Sequence, residues 1–198
     1  TGASINAADA LYTNMATHFA PHTEKNNVLT SLQAASWGDD ATGNHDLLSS
    51  ILQSVHSQHA AQIPAGAVEP NITLINSLCD GDISSVCANI IGLESDDKWL
   101  QKASAALKNG SALSAVLSYQ QLERCKGLSW ADIFRSELTL GTNIARGSEF
   151  TEGVRALLID KDRNPQWQYS SVDEIPADVI ASYFEPPWDA HPLANLGT

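Results

Sequence analysis

The side chains in this 198-residue chain that most often engage metals, protons or acyl groups are six histidines, three cysteines and 23 carboxylates. His18 and His22 lie four residues apart, and His56 and His59 three apart. At such spacings two imidazoles on one helix can share a metal ion. Pro21 interrupts the first pair and no third ligand accompanies the second, so the expectation is surface or core-edge histidines and no metal site. Cys79, Cys87 and Cys125 are odd in number and fit no zinc spacing, which points to buried free thiols in a reducing compartment, cytoplasmic on a first reading. No serine lies in a nucleophile elbow, no glycine-rich phosphate loop is present, and no cysteine has an evident activating neighbour. Asp39-Asp40 and Asp96-Asp97 fall where helices end or begin, places that carboxylates favour for structural reasons. Residue chemistry alone predicts no catalytic site here.

The cations are more informative. The net charge is −12, which excludes nucleic acid as a general partner because phosphate backbones need a basic face. Ten of the eleven lysines and arginines lie between residues 98 and 163, leaving that stretch positive between two acidic ones. It closes on Arg155, Lys161 and Arg163, the candidates for holding a local anion; a solvated helix end, with Lys161 and Arg163 paired to Asp160 and Asp162, is the competing structural reading.

The elements that must position these residues read as helices almost throughout. Asn6 with Asp9 forms a capping box, and Asn14 reads as a left-handed stop. Apolar residues then step by three and four through Val28–Ala35, through Leu47–Val55 after a cap at Asp46, and through Leu74–Leu78, Ile83–Ile91, Trp99–Leu107 and Ala112–Leu117. Ser129, with Asp132, opens the longest predicted helix, whose inner face holds Trp130, Ile133, Phe134, Leu138 and Ile144. Phe150–Ile159 and a proline-started helix over Pro176–Phe184 complete the set. No alternating strand of useful length occurs, so the chain is expected to be all-α with about eight or nine helices. No apolar run approaches the roughly 20 residues of a membrane span, so no membrane partner is expected. The tail "FEPPWDAHPLANLGT" is expected to be irregular and ordered only if Trp188 docks.

The stretch "EFTEGVRALLIDKDRNPQW" resembles the "DF.EGVRA.LIDKD..P.W" signature of the 3-hydroxyisobutyryl-CoA hydrolases, a branch of the enoyl-CoA hydratase/isomerase (crotonase) superfamily. "INAADALYTNMATHF", "LINSLC" and "SWADIFRSELTLGTNIARG" are similar to further elements of that family, so the resemblance runs from Thr1 to about Phe184. It implies that residues 1–22 are the last turn of the crotonase-core region and 23–198 a C-terminal helical domain. The fold class so implied is the helical region of an α/β crotonase-type fold whose β-spiral core is missing from this chain. Thioester hydrolysis would then rest on oxyanion-hole donors and carboxylates upstream, with no catalytic residue here. The resemblance assigns coenzyme A binding to Lys161, with Arg155 and Arg163 beside it; no cofactor is implied, since the substrate carries coenzyme A.

The implied partners are an acyl-CoA substrate met through the full-length enzyme, the missing N-terminal core, and a second copy through self-association. The implied place is the cytoplasm, or the mitochondrial matrix if the source is eukaryotic. Gly153 is expected to mark a helix–helix or helix–core approach too close for a side chain, with Val154, Leu157 and Leu158 buried. Two alternatives stand beside this: part of an enoyl-CoA hydratase/isomerase, or a free-standing helical interaction module.

Overall fold

Short polar side chains at helix starts lay out the architecture in the computed structural model, which describes residues 1–197. Asn6 accepts from the Asp9 N–H and Asp9 accepts in return from the Asn6 N–H, closing the expected box at the start of α1 (Ala7–Tyr12). Asn14 then takes the left-handed conformation, φ 57°, and ends the turn. α2 (Lys25–Ala34), α3 (Ala41–His59) and α4 (Val68–Leu78) come next. With α1 they make up one compact unit, Ser4–Ser77.

The second unit comprises Thr1–Ala3 and Leu78–Thr198. It contains α5 (Ile83–Ile91), α6 (Lys98–Asn109), α7 (Ala112–Cys125), α8 (Trp130–Arg146), α9 (Ser148–Val154) and α10 (Ala177–Ser182). Asp82, Asp97, Ser111 and Ser129 cap α5 to α8, each accepting from backbone N–H groups of the first turn. The core of this unit is Leu113, Val116, Leu117, Leu140 and Ile175, flanked by Ile144, Tyr169, Val179 and Tyr183. The tail stays irregular but is tied down. Arg135 on α8 donates to the carbonyls of Leu193 and Ala194, His191 meets the Arg135 carbonyl, and Trp188 stands edge-on to His191 at 5.0 Å.

Several expectations need correction. The expected fold class was eight or nine helices within an α/β fold lacking its β-spiral core. The described residues instead form ten α-helices, with short 3₁₀ turns, a π-turn and no strand. α3 starts at Asp40, not Asp46: the Asp40 carboxylate accepts from the N–H groups of Thr42 and Gly43, so the helix runs through a loop-like sequence and becomes the longest, at 19 residues. On α8, Trp130 and Phe134 lie outside rather than on the inner face, with Trp130 79% exposed. Of the three thiols only Cys87 is buried, and burial raises its pKa; Cys79 is exposed.

Candidate functional site

The site grows from the short helix α9 and the turn after it. Glu149, buried in its first turn, accepts from the Ser111 hydroxyl that caps α7 and from the Gln168 N–H. One carboxylate thus joins three segments of chain. Four residues on, Gly153 meets the Trp167 indole: a Cβ at this position would lie 3.4 Å from the ring. Trp167 is fixed at its other end by donating to the Asn109 carbonyl at 2.9 Å. Gly153 is therefore met by a tryptophan side chain, at a distance that leaves room for a Cβ in van der Waals contact, so the approach is not too close for a side chain.

Beyond Val154 the backbone widens into a π-turn, Arg155–Ile159, closed by the Asp160 N–H on the Arg155 carbonyl at 2.8 Å. Such turns insert a residue into the helical repeat and recur at functional sites. The insertion also overturns the burial expected of Leu157 and Leu158. Ala156 remains buried, but Leu157 and Leu158 are each 62% exposed and Ile159 69% exposed, out of phase with the 3.6-residue repeat that would bury the leucines. Leu157, Leu158 and Phe150 rim a groove of about 570 Å³ whose floor is Leu113, Leu117 and Ile144 and whose sides include Trp167, Tyr183 and Arg163. Its size and apolar lining are those of small-molecule sites. Burial, with the nearby charge of Glu149 and then Tyr169, raises the pKa of Tyr183.

The three cations singled out in the sequence occupy different settings. Arg155 is fully engaged. Its Nε and Nη2 grip Glu152 at 2.9 and 2.8 Å, its Nη1 reaches Asp160 and Asp162 at 2.6 Å each, and Nη2 also donates to the Asn164 carbonyl. Glu152 takes a further bond from the Gln166 N–H. The guanidinium first, and that N–H second, hold the Glu152 carboxyl down to about 2. Arg155 also holds Asp162 below the usual carboxylate range and is itself pushed up. Lys161 and Arg163 are exposed, and neither makes an ion pair among the described residues. The pairing of these two with Asp160 and Asp162 is thus replaced by Arg155. Both take left-handed backbone, φ 57° and 55°, which costs a residue with a Cβ roughly 1–2 kcal/mol.

The histidine pairs serve local structure. His56 Nδ1 accepts from the Phe19 N–H, His18 lies edge-on to His56, and His59 faces Glu24 at 3.8 Å. Among the described residues no three His, Cys, Asp or Glu side chains group closely enough to hold a metal. Sequence reasoning missed Glu149, Ser111 and Asn109 as parts of the site. Their roles depend on partners 19 to 58 residues away, and only the tryptophan of the quoted signature hinted at them.

A family model described as enoyl-CoA hydratase/isomerase matches residues 1–184. The chain is 29% identical over 186 residues to a mitochondrial 3-hydroxyisobutyryl-CoA hydrolase of Xenopus tropicalis, covering 93% of this chain and 46% of that protein. It is 28% identical to the protein of the same description from Gallus gallus, covering 94% and 47%. The chain therefore spans about half the length of the curated relatives it matches. Among solved structures it superposes on a carnitinyl-CoA dehydratase from Mycobacterium thermoresistibile with a TM-score of 0.75 at 20% identity, over 98% of this chain and 51% of that one. An enoyl-CoA hydratase from Rhodobacter sphaeroides 2.4.1 gives 0.67 at 22% identity, over 91% and 48%. These likenesses concern the fold alone: the helical arrangement, taken by itself, aligns with crotonase-fold enzymes.

Proposed function

Because the chain belongs to the enoyl-CoA hydratase/isomerase family, we propose that it serves an acyl-CoA enzyme of the 3-hydroxyisobutyryl-CoA hydrolase kind, acting in valine breakdown. Within that enzyme it borders the acyl-CoA and holds coenzyme A without catalysing hydrolysis by itself. The observation that carries this reading is the pair Lys161 and Arg163, exposed and without carboxylate partners, beside an apolar groove that Arg163 helps to line. An anionic phosphate suits the cations, and an apolar or ring-bearing portion of the same ligand suits the groove. The reaction would be attack on the thioester carbonyl carbon with the developing oxyanion held by N–H donors, and no group for either task is identified among the described residues. Relatives described as mitochondrial support the mitochondrial matrix as the place of action if the source is eukaryotic.

The test compares calorimetric binding of coenzyme A with that of dephospho-coenzyme A, which lacks the 3′-phosphate. Coenzyme A is expected to bind about tenfold more tightly, the worth of one charge-assisted contact of about 1.4 kcal/mol. Lys161→Ala should remove most of that difference. Equal affinities for the two ligands would rule out the phosphate contact. Hydrolysis of 3-hydroxyisobutyryl-CoA by this chain is expected to be undetectable, and turnover would overturn the non-catalytic role. A free-standing helical module accounts less well for the molecule, since a monomeric module covers its apolar faces and Leu157, Leu158 and Ile159 are open.

A further inference from the structure

Six charged residues alternate in sign along the turn: Glu152, Arg155, Asp160, Lys161, Asp162 and Arg163. On a flexible segment such neighbours would pair at random and cancel one another. The structure sorts them instead. All three carboxylates converge on one guanidinium, whose planar fork can satisfy several acceptors at once, as a lysine ammonium cannot. The two remaining cations lie between and just beyond the aspartates in sequence, at 161 and 163, and both have left-handed backbone. Residues with a Cβ keep that conformation only where surrounding structure enforces it. Here the enforcement is visible: Arg155 holds Asp160 and Asp162 on either side of Lys161 and donates to the Asn164 carbonyl just after Arg163, while the Arg163 N–H bonds the Ala156 carbonyl at 3.0 Å.

We propose that Arg155 is a positioning residue: by gathering Glu152, Asp160 and Asp162 it keeps Lys161 and Arg163 free of carboxylate partners as a paired anchor for a phosphate-bearing ligand. This rests on the coenzyme A reading above and changes the part Arg155 plays in it, from a ligand contact to the organiser of the two contacts. Without Arg155, Asp160 and Asp162 are released beside Lys161 and Arg163 and compete with any phosphate for them.

Two measurements on the full 198-residue chain test it. The first is trypsin cleavage after Lys161 and Arg163, followed by mass spectrometry on folded protein at matched melting temperature. Arg155→Gln should speed cleavage at these bonds by about tenfold, because local opening sets the rate; an unchanged rate would overturn the proposal. The second is a double-mutant cycle read by coenzyme A affinity. Arg155→Gln should weaken binding about tenfold in the wild-type background and not at all when Lys161→Ala and Arg163→Ala are already present, since residues acting as one unit are non-additive. Equal losses in both backgrounds would mean that Arg155 acts on its own or only through stability. Arg155→Lys should bind as weakly as Arg155→Gln, and wild-type affinity in that variant would show that charge alone suffices and defeat the positioning role. If the wild-type chain binds no coenzyme A, the reading in the previous subsection fails. The cleavage rates then still decide whether Arg155 organises the turn.

Discussion

At the scale of single residues, the most deeply buried carboxylate of the molecule does structural work. Asp9 is 1% exposed, and its carboxylate accepts the N–H groups of Asn6, Ala67 and Val68, so it closes the α1 box and caps the start of α4 together. Burial alone would raise its pKa, but the bonds from Val68, Asn6 and Ala67 outweigh it and hold the carboxyl below its ordinary value. A group depressed in the folded state contributes stability that is fully present above its unfolded pKa, about 3.9, and is lost as pH falls below that. The urea midpoint of the wild type should therefore drop through the acid range more steeply than that of Asp9→Asn, which has no such proton to take up. Parallel pH profiles would refute the assignment. At neutral pH, Asp9→Ala should cost at least about 2 kcal/mol, because buried donors lose a charged acceptor. Gly66→Ala should mimic part of this, since its Cβ would fall 2.8 Å from the Asp9 carboxylate.

At the scale of elements, legibility follows locality. The Asn6 box, the Asn14 stop and the Ser129 cap depend on residues within four positions, and each stands where the sequence places it. The start of α3 is hidden in the sequence because Gly43 and Asn44 look like loop residues, whereas Asn44 bonds both the N–H and the carbonyl of Gly38 and locks the entry to the helix. Within the site, the cations of the signature are legible, but the inward role of Arg155 is not. Its reach to Asp160 and Asp162 exists only because the π-turn brings residues five and seven positions ahead back onto it. The same turn carries Leu157 and Leu158 off the face that helical spacing assigns them. Gly153 tests how far this element is held by Trp167. Because a Cβ at Gly153 would sit 3.4 Å from the indole, Gly153→Ala should be accommodated in van der Waals contact, whereas Gly153→Leu should overpack the contact and cost about 1–3 kcal/mol. An unchanged melting temperature in Gly153→Leu would remove the Trp167 contact from the account of the turn.

At the scale of the molecule, the open apolar ridge is the feature that bears on self-association. Phe150, Leu157, Leu158 and Ile159 are all more than half exposed and lie close together in sequence on α9 and the π-turn. Scattered exposed leucines are ordinary, but contiguous ones mark contact surfaces, because burying them removes apolar area from water at about 25 cal/mol per Å². The high net negative charge opposes association in general, so any self-association should be confined to such a ridge and strengthen with salt. Sedimentation equilibrium is expected to show a mass that rises with concentration for the wild type. The double variant Leu157→Glu with Leu158→Glu should sediment as a 21.2 kDa monomer. Its melting temperature should match that of the wild type under monomeric conditions, since substitutions at exposed sites usually fall within about 0.5 kcal/mol. A wild type that stays monomeric would show that the ridge does not drive self-association. A double variant that unfolds early would show instead that the two leucines contribute to the core of the single chain.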